Sequence, residues 1–112
     1  MYSDEILDYL TIAIKTEKEN AIKQHGYFKN ALECENALSE ELCEFLAEAN
    51  QAQKIFSDWL VIYIAYQKSA GAEYLIDIER FNDLVETLQR ALIELIQVLA
   101  VVDKIRDYRV DE

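Results

Sequence analysis

The sequence predicts an all-α fold, an antiparallel bundle of about four helices, on three observations. The chain has no proline and only two glycines, Gly26 and Gly71. Long stretches consist of good helix formers (Ala, Leu, Glu, Lys and Gln) with few breaking signals. Apolar residues recur at steps of three and four, the spacing of a helix face. At 112 residues the chain suffices for a single domain, residues 1–112, around one core. A hydrophobic content of 52% argues for folding over disorder.

Helix 1 is expected from about Ser3 to Gln24. Ser3 can cap it, Asp4 and Glu5 suit the positive end of its dipole, and Ile6, Leu7, Leu10, Ala13 and Ile14 form its stripe. Gly26 can end it in the left-handed conformation. Helix 2 starts at Asn30, where Asn30-Ala31-Leu32-Glu33 resembles a capping box. Its core face reads Leu38, Leu42, Phe45, Leu46 and Ala49, with Glu41, Glu44 and Glu48 along one flank. Helix 3 is expected over Gln53 to Lys68. It is apolar on most sides from Trp59 to Tyr66, as in a helix buried all round. Ser69-Ala70-Gly71 breaks the chain before helix 4, expected from Glu73 to Tyr108. Its length suggests a bend or a dimer-spanning role, and the broad apolar surface of helices 3 and 4 suggests that they carry an oligomer contact.

A formal net charge of −11 argues against a nucleic-acid partner, because phosphate backbones are bound by basic faces. The charge suits a cation site or a basic partner surface. The longest apolar run, Trp59 to Tyr66, falls short of the roughly 20 residues that span a bilayer, so no membrane role is expected. No basic segment followed by an apolar one opens the chain, and Cys34 and Cys43 would face apart on one helix. A cytoplasmic protein with reduced thiols is the expectation.

The chemistry-bearing residues are acids. Glu40-Glu41-Leu42-Cys43-Glu44 is an E-E-x-x-E run, and Glu94-Leu95-Ile96-Gln97 an E-x-x-Q run inside the apolar stretch Ala91 to Val102. Residues three apart lie on one side of a helix, so Glu41 and Glu44 can hold one hard cation between them. Solvated surface acid is the plainer reading of that pair in a chain with 22 Asp and Glu. Glu94 is harder to explain, since a carboxylate among apolar neighbours must be paired, hydrogen-bonded or metal-bound. Its modest explanation is an intrahelical pair with Arg90. Its functional explanation is a ligand facing Glu41 and Glu44 across the bundle, with Gln97 adding a carbonyl oxygen. His25, at a helix end, has no second histidine for a metal site, and Trp59 and the seven tyrosines read as core and interface filler. No phosphate loop, nucleophile elbow or Cys/His pair is present.

In order and spacing these residues resemble the MazG-like branch of the all-α nucleotide pyrophosphohydrolases, and within it the small bacterial and phage proteins. The pattern there runs roughly F-x-S-x-H-E-A-Y-A-V-I-x-E-E-x-x-E, then a tryptophan, then E-L-I-Q-V-A-A-M-A-x-K. Phe28, Glu33, Glu40, Glu41, Glu44, Trp59, Glu94, Gln97, Val98 and Lys104 fall on it, from about Tyr27 to Lys104. Asn30 replaces the serine, Leu32 the histidine, and Gln97 stands where the catalytically characterised families carry aspartate. The resemblance implies Mg²⁺- or Mn²⁺-dependent hydrolysis of a nucleoside triphosphate to monophosphate and pyrophosphate. It implies Glu41, Glu44, Glu94 and Gln97 as metal ligands, and Glu40, Glu41 and Glu44 as the catalytic acids. Glu40 would orient water, and Lys104 would contact phosphate. A homodimer or homotetramer is the implied assembly. The alternative is a non-catalytic acidic bundle that kept the fold and binds a host protein, such as a phage or mobile-element accessory protein.

Overall fold

The structure is a computed structural model, and it describes residues 3–70 and 78–110. Among these residues the chain forms three helices and no strand: α1, Ser3–His25; α2, Ala31–Ala70; and α3, Ile78–Val110. The all-helical expectation holds, but the expected count of four does not. The anticipated second and third helices are one continuous α2. Residues 48–54, Glu-Ala-Asn-Gln-Ala-Gln-Lys, contain neither glycine nor proline. Asn50 costs a helix interior well under 1 kcal/mol, too little to end it. The helix also continues through Ser69 and Ala70, while Gly71 and the expected start at Glu73 lie outside the described residues.

The connection between α1 and α2 is built as the sequence suggests. Gly26 has φ 73°, a left-handed conformation that a side chain would strain. Its amide donates to the Ile22 carbonyl at 2.7 Å, closing the end of α1. Asn30 Oδ1 accepts from the Glu33 amide at 2.9 Å, and the Glu33 carboxylate accepts from the Lys29 amide at 2.6 Å. These two bonds satisfy donors left open at the start of α2. The Ser3 side chain, the expected cap of α1, lies outside the described residues.

α3 is the middle element, packed against both α2 and α1. α2 and α3 run antiparallel in a register marked by contacts along their length. Phe28, just before α2, meets Lys104; Glu48 meets Arg90; and Trp59 meets Phe81. Phe56, Trp59, Tyr63 and Phe81 form an aromatic cluster with ring centroids 5.2–5.7 Å from Trp59, within the favourable range for aromatic pairs. α1 is held to the C-terminal half of α3 by Lys18, whose ammonium reaches Asp107 at 2.8 Å and Asp103 at 3.3 Å. The Asp107 hydrogen bond, joined by Asp103, raises the Lys18 pKa.

The stripes are only half covered. Leu10, Ala13 and Ile14 of α1 are half-buried, but Ile6 and Leu7 are exposed. Leu38, Phe45 and Ala49 of α2 are half-buried, while Leu42 and Leu46 are exposed. In α3, Ala91 and Val98 are buried, Leu84 and Leu95 half-buried, and Leu88, Leu92, Leu99 and Val102 exposed. Five apolar residues are buried among those described: Cys34, Ala52, Ala91, Val98 and Ala100. The radius of gyration is 19.4 Å, against about 13 Å for a compact chain of this length. No helix among the described residues is long and apolar enough to cross a membrane.

Candidate metal centre

Glu41 and Glu44 lie one turn apart on α2, and Glu94 lies on the facing side of α3. The antiparallel register brings the three together, with one carboxylate oxygen of each within 4.8 Å of the others. Oxygen ligands on opposite sides of a hard cation stand about 4.2 Å apart for Mg²⁺ and about 4.8 Å for Ca²⁺, twice the metal–oxygen distance. At most one pair of the three can lie on opposite sides, and adjacent ligands stand about 3 Å apart around Mg²⁺, so the acids offer the donor type of a hard-cation site and would draw together around an ion. Glu41 and Glu94 are half-buried and Glu44 exposed, so the group opens to solvent on one side.

The electrostatics are those of an under-neutralised cluster. Burial raises the Glu94 pKa most, and Glu44, both by its charge and by a hydrogen bond, and Glu48 add to it. Burial likewise raises Glu41, reinforced by Glu44, Glu94, Glu40 and Glu17. The intrahelical Arg90–Glu94 pair expected as the modest explanation does not form. Arg90 Nε turns instead to Glu48 Oε2 on α2 at 3.2 Å, and its second guanidinium nitrogen donates to Thr87 Oγ1 at 3.1 Å. Glu48 thus leaves the acidic flank to become an ion-pair partner, and Glu94 gains no cation from its own helix.

Gln97 sits one turn beyond Glu94 and spans the same gap. With its amide turned so that the nitrogen faces the acids, it donates to Glu94 Oε2 at 2.9 Å and to Glu41 Oε2 at 3.3 Å. The opposite orientation would set its carbonyl oxygen against two carboxylates. In the donor orientation Gln97 ties α2 to α3 at the centre, and in the other it presents its carbonyl oxygen toward the acids as a fourth ligand.

Beside this centre a cleft of about 430 Å³ opens between all three helices. Glu40, Glu41, Gln97 and Lys104 line it, together with Glu17, His25 and Phe28. Lys104 is 5% exposed. Its ammonium lies over the Phe28 ring, 4.2 Å from the centroid, and makes no hydrogen bond or ion pair among the described residues. Burial lowers its pKa, with Glu33 and Cys34 acting weakly the other way. Cys34 is buried and Cys43 exposed, both as free thiols.

The candidate site residues border one region: Glu41, Glu44 and Glu94 converge, Gln97 lies beside two of them, and Glu40 and Lys104 line the adjoining cleft. Sequence reasoning missed the share of α1. Glu17, Ala21 and His25 lie four residues apart on one face and form a wall of the cleft. That i, i+4, i+8 spacing was the available signal. Comparison with known protein families, with curated proteins and with solved structures finds no match for the chain.

Proposed function

We propose that this protein is an Mg²⁺- or Mn²⁺-dependent nucleoside triphosphate pyrophosphohydrolase, converting a nucleoside triphosphate to the monophosphate and pyrophosphate. The observation that carries the reading is the convergence of Glu41, Glu44 and Glu94 from two helices, within 4.8 Å and, among the described residues, without a basic side chain to neutralise them. Three carboxylates held together by the fold cost stability unless a cation joins them. The acidic motifs that resemble those of MazG-like enzymes supply the direction of the chemistry.

In this reading Glu41, Glu44 and Glu94 hold the ion. A bound Mg²⁺ or Mn²⁺ supplies polarisation of phosphate oxygens and a lowered pKa for nearby water. Gln97 keeps Glu41 and Glu94 at a fixed separation, as outer hydrogen-bond partners do for ligating carboxylates. Glu40, exposed on the cleft wall, accepts a hydrogen bond from the attacking water and orients it toward the α-phosphorus. Lys104 faces phosphate oxygens from the other side of the cleft. A pyrophosphate-release assay over the common nucleoside triphosphates tests the proposal. Release should require Mg²⁺ or Mn²⁺ and vanish in Glu41→Gln. A fully active Glu41→Gln protein overturns the assignment.

The same reading includes self-association into a homodimer or homotetramer. The chain exposes 8737 Å², whereas a compact monomer of 13.0 kDa exposes about 6300 Å². The excess is of the size that an obligate dimer interface removes. Phe56, Leu60, Val61 and Ile64 of α2 and Val85, Leu88 and Leu92 of α3 are large, apolar and exposed. A second copy laid on this face covers them.

A further inference from the structure

α1 carries a charge pattern that packing within the chain leaves largely unused. Asp4, Asp8, Thr11, Lys15 and Lys18 follow one another at steps of four, three, four and three, the spacing of one stripe on a helix. Along the stripe two acids precede the threonine and two lysines follow it. The helix dipole accounts for Asp4 alone, because its effect fades within the first and last turns, and Asp8, Lys15 and Lys18 lie inside a helix of 23 residues. Asp4, Asp8 and Lys15 are exposed and make no ion pair among the described residues.

The lysine end of the stripe borders a groove. α1 and α3 leave between them an open groove of about 520 Å³, lined by Lys15, Lys18 and Arg106, by Asp103, and by the apolar Ile14 and Val102. It is a basic feature on a chain of net charge −11. Lys18 is paired with Asp103 and Asp107, but Arg106 reaches Asp103 only at 3.8 Å, with its side chain 77% exposed. The start of α1 has the complementary character. Asp4, Glu5 and Asp8 stand among Ile6 and Leu7, and residues 4–9 are all exposed. A continuous helix cannot lay its own start beside its own residues 11–18, so the segment that fits this groove belongs to another copy.

We propose that α1 is a second self-association surface, on which the α1 helices of two copies pair antiparallel about a two-fold axis at Thr11. Read backwards, the stripe is its own complement. Asp4 comes opposite the partner's Lys18, Asp8 opposite the partner's Lys15, and Thr11 opposite the partner's Thr11. Leu7 comes opposite the partner's Ile14 in the same register, and the partner's Arg106 flanks the acidic end. Every pair occurs twice, as in an isologous contact. A single helix-on-helix contact over about four turns lies at the small end of stable interfaces, so one such contact holds weakly. A dimer already joined through its α2–α3 face presents two α1 helices, and two contacts acting together close a tetramer through the higher effective concentration of the second. The tetramer therefore rests on the proposed α2–α3 dimer, whereas the α1 pairing stands without it.

Charge exchange tests the pairing, followed by sedimentation velocity on the full chain. The native chain should sediment as a tetramer that dissociates to dimers on dilution. Asp8→Lys and Lys15→Glu, each at an exposed position, should weaken tetramer formation at least about tenfold, since each makes two attractive pairs per contact repulsive. Both changes in one chain should restore the tetramer, and so should an equal mixture of the two single variants, because every charge again meets its opposite. Tetramers that persist in both single variants, or that fail to return in the double variant, overturn the proposal. A disulfide readout separates this surface from the α2–α3 face. In a Cys43→Ser background, Thr11→Cys should link two chains under mild oxidation, whereas Tyr9→Cys, about half a turn away on the helix, should not. A native chain that forms no tetramer overturns only the α2–α3 dimer if the Thr11→Cys link still forms. Absence of that link, or an equal link from Tyr9→Cys, overturns the α1 pairing.

Discussion

Arg90 lies one helical turn before Glu94 on α3, yet its guanidinium pairs with Glu48 of α2 at 3.2 Å. The choice has two effects. It fastens α2 to α3 about one helical turn from the acidic centre, on the side of the aromatic cluster, and it leaves Glu94 to face Glu41 and Glu44 without a countercharge among the described residues. Glu41 and Glu94, both half-buried, are the members of that trio that the proposed ion would relieve most, and the consequences can be measured.

Mg²⁺ and Mn²⁺ should raise the melting temperature. At a hundredfold excess over Kd, a ligand that binds only the folded state contributes about 2.7 kcal/mol. For a domain of this size that amounts to a rise of at least about 10 °C. Glu94→Gln should show no rise. Scanning fluorimetry with and without the chlorides reads both, and an equal rise in the variant removes the ion from this centre.

The metal-free protein should lose stability as pH increases. Glu41 and Glu94 hold their protons more tightly when folded than their ordinary value of 4.5 allows. The folded chain therefore binds more protons than the unfolded one across that window. Their ionisation costs nothing below pH 4.5, and the cost is complete once pH has passed the raised folded values. Urea denaturation in EDTA from about pH 4.5 to about pH 8 should show the decline, and Glu94→Gln should flatten it. Mg²⁺ should offset it at the upper end. A variant slope equal to that of the native chain contradicts this account.

Self-association should depend on the exposed apolar face. Sedimentation should give a dimer or tetramer for the native chain. Val61→Glu, at a side chain that is 67% exposed, should give a monomer with a lower melting temperature. An oligomer unaffected by Val61→Glu and Leu88→Glu places the contact elsewhere.

The α2 cap should be worth about 1 kcal/mol. Asn30→Ala removes the acceptor for the Glu33 amide, and substitutions of this kind cost roughly 0.5–2 kcal/mol. Chemical denaturation reads the loss, and an unchanged stability in Asn30→Ala contradicts it.

Local signals were the most legible in the sequence. Gly26 and the Asn30–Glu33 pair act within a few residues, so their roles follow from type and spacing. The acidic motifs were legible for a similar reason, because residues three apart on a helix share a face wherever the helix goes. The union of the expected second and third helices was not, because a helix end is read from breaking residues and periodicity alone does not say whether two stripes belong to one helix. Nor was the partner of Arg90. A long side chain has several carboxylates in range, and which one it meets depends on the register of two helices. The contribution of α1 to the cleft stayed hidden because Glu17, Ala21 and His25 look unremarkable until α3 is placed beside them.

The contact between Trp59 and Phe81 sets more than local packing. Along a helix each residue turns the next by about 100°. Phe81 and Glu94 stand on one unbroken α3, so the seating of the ring against α2 fixes the rotational phase at which the carboxylate arrives. Inserting a single alanine between them would aim Glu94 about a quarter-turn away from Glu41 and Glu44 while leaving every existing side chain intact. The aromatic end of the hairpin thus works as the index mark of a dial whose pointer is the acidic centre.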